Sequence, residues 1–253
     1  MEGPSLLLAA EQLQPFVGQR VLEVRGNATI DIGRCEGEVV RAIFNHGKQL
    51  FVQFGTFALR THFLLFGTYD ADVDGTQVSG DYPRAHEPRL ALRFRNGELR
   101  LFACSVRFVE GKNVRSGLDF STDVLSSRWD AAQALAALKG RGREQIGDVL
   151  LDQNVFAGVG NIIRNEVLWL ARVRPDALVR NISVSRRRGI IALTRSFSKQ
   201  FLRWRRAMEL KKHLRIYKRK MCPRCGGPVL HAKLGAMGRT AHFCPHCQKK
   251  TAR

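Results

Sequence analysis

With 253 residues, 44% of them hydrophobic, the chain can bury a core as one large domain or two to three small ones, and global disorder is excluded. A formal charge of +20 on a folded chain implies a polyanionic partner through counterion release from phosphates, and no apolar run approaches the roughly 18 residues of a membrane-spanning helix. The run SLLLAA follows an acidic start and is too short for a secretory leader, so a reducing, cytoplasmic setting without membrane attachment is expected.

Residues 5–16 (SLLLAAEQLQPF) have a leucine-rich face and predict a short helix, with Pro4 and Ser5 at its opening. The hydrophobic period then changes to two. RVLEVRG predicts a strand, and VVRAIFNHGKQLFVQFG predicts two strands around an Asn45-His46-Gly47-Lys48 turn. In RLALRFRNGELRLFA, Leu90, Leu92 and Phe94 alternate into Asn96-Gly97, and Leu99, Leu101 and Ala103 alternate out, the pattern of a hairpin. Such strands argue for an antiparallel β-sandwich over residues 1–115. SGLDFSTDVLSS is polar and weakly periodic, and a linker is expected over 116–128.

From Arg128 onward the period is helical, which predicts a helical domain over 129–215 and gives a multi-domain α+β chain. IGDVLLDQNVFAGVGNIIRNEVLWLARVRP reads as two helices interrupted at AGVGN. There Gly158 and Gly160 permit positive φ and close backbone approach, while Asn161 can cap the helix that follows. The free N–H groups of that helix start favour a phosphate. Beyond it lies a long basic helical region. From Arg180 to the end there are about twenty basic residues and one acid, Glu209, so the polyanion's footprint falls mainly on the C-terminal half.

Cys35 and Cys104 stand apart and read as buried, inert thiols. Cys222, Cys225, Cys244 and Cys247 form two C-x-x-C pairs within a module at 216–253, separated by a spacer that can make a hairpin. Four thiolates complete a tetrahedral zinc site and leave no position open for chemistry, so one structural Zn2+ is expected. The full cysteine set leaves His231, His242 and His246 as surface residues. Arg239 falls near the hairpin tip, where a guanidinium can reach a phosphate or a base.

Glu2-Gly3-Pro4 at the start, the NHGK turn, GVGNIIRNEVLWLARVRP and the terminal four-cysteine module occur in this order. Together they resemble the formamidopyrimidine-DNA glycosylase / endonuclease VIII family, over essentially the whole chain. The resemblance implies a β-sandwich, a helix–two-turn–helix domain and a zinc finger, acting as a monomer on damaged DNA held between domains. It implies extrusion of the damaged nucleotide, because its sugar carbon is unreachable in the stack. A terminal amine then attacks C1′, displaces the base as a Schiff base forms, and elimination cuts the strand.

The family's usual start, Pro-Glu-Gly-Pro, becomes Met-Glu-Gly-Pro, which puts Met1 in the proline's place with Glu2 in register. Glutamate in second place keeps Met1 on the chain, because methionine trimming requires a small neighbour. The expected nucleophile is thus a primary α-amine. Its ordinary pKa near 7.7–8.0 leaves more free base at neutral pH than a lysine has. Methionine's imine, unlike proline's iminium, must be protonated to act as electron sink, so a weaker or pH-shifted lyase is expected.

By the same resemblance Glu2 is the general acid/base, and Lys48 is an auxiliary cation near the lesion. Asn161, Gly160 and Arg239 grip phosphates around the flipped nucleotide. Leu64, Leu65 and Phe66 form a wedge that fills the gap in the stack, with at least one of the three in the sandwich core. The implied activity is a glycosylase and abasic-site lyase acting on oxidised bases, pyrimidines above all. The alternative is a lesion-binding protein of the same fold with weak or no catalysis, suggested by the missing proline and by Ser5, where many relatives carry another glutamate. A zinc-ribbon RNA-binding factor accounts for the charge and the finger, but not for Glu2 or the GVGN turn.

Overall fold

A computed structural model describes residues 1–80 and 87–249, so the last four residues of the 216–253 module lie outside it. The chain divides into two compact units between Leu118 and Asp119.

Unit 1 opens with helix α1 (Gly3–Gln12), in which Pro4 occupies the first turn, where no N–H partner is lost. A single 3₁₀ turn at Gln14–Phe16 follows, so the predicted helix ends in a tighter coil. Seven strands then form one antiparallel sheet: β1 (Glu23–Arg25), β2 (Ala42–His46), β3 (Gln49–Gln53), β4 (Phe57–Val73), β5 (Thr76–Ser79), β6 (Leu90–Phe94) and β7 (Gly97–Glu110). The order is β1-β6-β7-β4-β3-β2, with β5 on the far half of β4.

Strands β4 and β7 are long enough to serve both layers. Their early and late halves pair in different registers, broken between Phe63 and Thr68. Strands change sheets in this way at bulges. The inward residues of both layers meet in one apolar cluster that includes Leu6, Leu50, Phe57, Leu92 and Leu101. Each such burial contributes about 1.5–3 kcal/mol.

The hairpin of β6 and β7 forms as its alternation predicts, but its loop is Arg95-Asn96, because Phe94 pairs with Gly97. Gly97 (φ 142°) is needed for a different reason. A Cβ there would lie 1.9 Å from the Asp72 carbonyl oxygen. In the β2–β3 hairpin His46 pairs with Gln49, which leaves Gly47-Lys48 as the loop, with Gly47 at φ 53°.

Unit 2 contains α2 (Ala131–Gly140), α3 (Ile146–Val149), α4 (Asn161–Leu170), α5 (Val184–Arg206), α6 (Leu210–His213) and the hairpin β8 (Leu230–Leu234) and β9 (Arg239–Phe243). Asp130 caps α2 and Ser183 caps α5. The stretch read as a linker contributes Val124 to the core of this unit and bridges Asp123 to Ala157, so its polar residues make turns on a packed surface. Among the described residues no helix is long and apolar enough to cross a membrane.

Candidate functional site

In unit 1 the chain start is fixed by α1. Glu2 is the N-cap residue, 8% exposed, and its carbonyl accepts the N–H groups of Ser5 at 3.0 Å and Leu6 at 3.2 Å. Met1 is half-buried and packs on the apolar core. The helix lies against β2 and β3, and at its end the Gln14 side chain donates to the carbonyls of Ala10 (2.7 Å) and Ile43 (2.8 Å). These contacts fix the far end of α1 against β2.

His62 on β4 feels the charges of both the Met1 amine and Lys48. It pairs with Gln49, next to Lys48, and its Nδ1 lies 3.2 Å from the Lys48 carbonyl oxygen. Burial holds its pKa below the usual imidazole range. The Lys48 carbonyl opposes that effect, while the positive charges of Lys48, the Met1 amine and Arg60 reinforce it. The sequence reading missed His62; its signal is its register beside the NHGK turn.

The predicted wedge is fully displayed. Leu64, Leu65 and Phe66 are 53%, 59% and 67% exposed, so none lies in the core as expected for at least one of them. The reason is the register break. Phe63 pairs with Cys104 and Thr68 with Phe102, so residues 64–67 stand opposite Ala103 alone, and Leu64, Leu65 and Phe66 are extruded. Ala103 takes φ 46°, and a Cβ on Gly67 would lie 2.5 Å from its carbonyl oxygen. Cys35 and Cys104 are buried, and burial pushes both thiols up to about 12, as inert cysteines require.

In unit 2, Gly158 has φ 96°, but Gly160 is extended and is itself the N-cap of α4. Asn161 therefore does not cap the helix. It is the first helical residue, and its side chain donates to the Thr240 carbonyl at 3.0 Å. Arg164, one turn on, donates to the carbonyls of Thr240 (3.0 Å) and Arg239 (3.4 Å), and Asn165 Oδ1 accepts the His242 N–H at 2.8 Å. Glu166 accepts the N–H groups of Arg215, Ile216 and Tyr217 at 2.8–3.0 Å. Burial raises its pKa while those N–H groups lower it. Arg239 is the first residue of β9 and is exposed, so its backbone is clamped while its guanidinium faces solvent.

Asp148 adds a further clamp at the hairpin turn, accepting the Ala236 N–H at 2.7 Å. Gly235 (φ 74°) is required beside it, since a Cβ would lie 2.2 Å from the carboxylate. Arg164, Asn165, Glu166 and Asp148 were not anticipated. For the first three the signal was polar residues crowded into GNIIRNEV, a helix otherwise apolar enough to be buried; Asp148 lies outside that stretch.

The sulfur atoms of Cys222, Cys225, Cys244 and Cys247 lie within 4.8 Å of one another, with Cys222–Cys247 at 3.9 Å and Cys225–Cys244 at 3.5 Å. A tetrahedron of sulfurs around zinc has edges of about 3.8 Å, whereas a disulfide needs about 2.05 Å. The donor set fits zinc. Burial acts to raise the Cys222 thiol, yet the Trp169 indole N–H at 3.3 Å and the N–H groups of Arg224 and Cys225 bring it down to about 6, toward the thiolate a metal needs. His242 is not a surface residue. It is 5% exposed, with ring contacts to Tyr217 and His231, and is not part of the sulfur cluster.

Residues 120–203 match the formamidopyrimidine-DNA glycosylase H2TH domain, and residues 220–250 match the zinc finger found in FPG and IleRS. The chain is 30% identical to human Endonuclease 8-like 3 over 99% of its own length but only 46% of the human protein's. It thus spans less than half of that relative. It is 29% identical to Endonuclease 8 2 of Mycobacterium bovis, over 98% of this chain and 99% of that one. Among solved structures, Lactococcus lactis formamidopyrimidine-DNA glycosylase bound non-covalently to abasic-site DNA shares the fold at TM-score 0.82 and 23% identity, covering 99% of this chain and 100% of that one.

Proposed function

The chain belongs to the formamidopyrimidine-DNA glycosylase / endonuclease VIII family, and from that premise we propose that it removes oxidised bases, principally pyrimidines, from DNA and cuts the abasic site that results. The observation that supports this reading is that His62 feels the charges of both Lys48 and the Met1 amine, which Glu2 adjoins as the N-cap of α1.

In the proposed reaction the Met1 amine, as free base, forms a bond to C1′ of the extruded nucleotide, and the glycosidic bond breaks with its electron pair leaving on the base. Glu2 supplies a proton to the opening sugar ring oxygen. The imine then allows loss of the proton on C2′, and the 3′ phosphate departs. Lys48 and His62 place positive or polar groups near the phosphates.

Residues 64–66 enter the stack where the nucleotide has left. Asn161 and the exposed Arg239 approach the backbone phosphates. One zinc ion in the four-cysteine site fixes the hairpin that carries Arg239. The Lactococcus lactis enzyme has also been solved with DNA containing an oxidised pyrimidine, which is consistent with this substrate class.

The test is borohydride reduction with an abasic-site oligonucleotide, followed by mapping of the modified peptide. The expected result is an adduct on the Met1 amine, with Glu2→Gln lowering the single-turnover rate about 10²–10⁴-fold while leaving DNA affinity in place. Tight binding without any adduct, from protein whose intact mass retains Met1, would identify a lesion binder instead.

A further inference from the structure

Unit 2 holds a cavity of about 460 Å³ between the start of α2 and the middle of α5. None of its lining residues belongs to the sites described above. Trp129, Ala131, Ile191 and Ala192 make an apolar floor, and Arg188, Arg195 and Lys199 stand around it. On α5 these three cations are spaced seven and four residues apart, so they fall on one face over roughly 16 Å. Arg195 is held in place by donating to the Ser126 carbonyl at 3.2 Å.

No carboxylate lines the cavity. The neighbouring Asp130 is engaged by the N–H groups of Ala132 and Gln133 as the cap of α2. Helix α5 carries eight arginines and lysines and no acid, a self-repelling arrangement that an anionic ligand would relieve.

We propose that this groove binds an acidic peptide segment of a partner protein, with one aromatic or branched aliphatic side chain on the floor and carboxylates paired to Arg188, Arg195 and Lys199. Both chemistries are required at once. Duplex DNA offers phosphates but no apolar projection to fill the floor. An unstacked base needs an open aromatic face, and Trp129 is 9% exposed, its ring packed 5.8 Å from Phe156. A short peptide supplies carboxylates for the guanidinium forks and an anchor for the cavity in one stretch. The cavity lies within the size range of specific ligand sites.

The experiment is fluorescence anisotropy of the full chain with a labelled aspartate-rich peptide carrying one central phenylalanine. Binding should weaken at least about tenfold when the peptide's phenylalanine is replaced by alanine, and likewise with Arg188→Glu/Lys199→Glu in the protein. Ala192→Trp should fill the groove with the same loss of peptide binding, while its melting curve and its affinity for abasic-site DNA stay within about twofold of the parent. The proposal is overturned if the parent chain does not bind the peptide, or if the alanine peptide binds equally well. Equal loss of DNA and peptide binding in Ala192→Trp would assign the groove to nucleic acid. A dimer abolished by that substitution would assign it to a second copy. Either result also overturns the proposal.

Discussion

In unit 1 the residues around Glu2 and Lys48 rest on a continuous apolar core, whereas in unit 2 the hairpin of Arg239 hangs on buried polar groups and four sulfurs. The apolar cluster beside the four-cysteine site is small, built from Trp169, Ile216, Cys222, Val229 and Cys244. Its shortfall is met by Asn161, Arg164, Asn165 and Glu166, a polar row on α4 whose partners are backbone groups of β9 and of residues 215–217. An apolar core loses stability by degrees as methylenes are removed. A polar clamp fails abruptly, because removing one partner strands the other without water. Rigid placement of a side chain can be reached by either route, but the two routes respond differently to damage.

Loss of the metal should have the largest effect. Cys244→Ser, or chelation, should unfold the hairpin module and abolish DNA binding while unit 1 keeps its β-sheet, as read by circular dichroism and limited proteolysis. Next is Glu166→Ala, which leaves three backbone N–H groups without their acceptor and should cost about 3 kcal/mol or more in denaturant unfolding. Glu166→Gln, which keeps an acceptor oxygen, should cost much less. If both cost the same, volume rather than hydrogen bonding holds residues 215–217.

Phe66→Ala, on the exposed tip, should leave the melting temperature unchanged and weaken binding to abasic-site DNA about five- to tenfold, a split that a core residue would not give. The smallest effect is pH-dependent. His62 is held below its ordinary pKa, so the folded chain takes up that proton later than the unfolded chain. The associated stability is complete above about pH 6.5 and is lost as pH falls through the folded value. His62→Gln should therefore reduce the drop in melting temperature on acidification to about pH 5, measured against the parent chain.

How much of this was legible in the sequence depended on the range of the interaction. The cysteine pairs are local and were read from their spacing, and the Lys48 turn was read in the right place, though Asn45 and His46, assigned to it, belong to β2. Gly97 was read as a turn residue because Asn-Gly is a strong local signal. Its actual constraint comes from Asp72, a neighbour only after β4 and β7 have paired. The same limit applies to Asn161, taken for a cap because its position suits one. Its amide is instead committed to Thr240, 79 residues away. The placing of residues 64–66 was legible only by resemblance, and their full exposure follows from a register break that no periodicity within β4 records.

That register break has a consequence for how the protein can change. Pairing closes normally at Phe63 and again at Thr68, and between them Leu64, Leu65 and Phe66 present exposed side chains while Gly67 packs against Ala103. The three exposed side chains can be exchanged without shifting any other strand, provided Gly67 is kept. The tip is in effect a socket on a fixed handle: a lineage or a designer can refit it for a different gap in the DNA and leave the amine, the sheet and the core as they are.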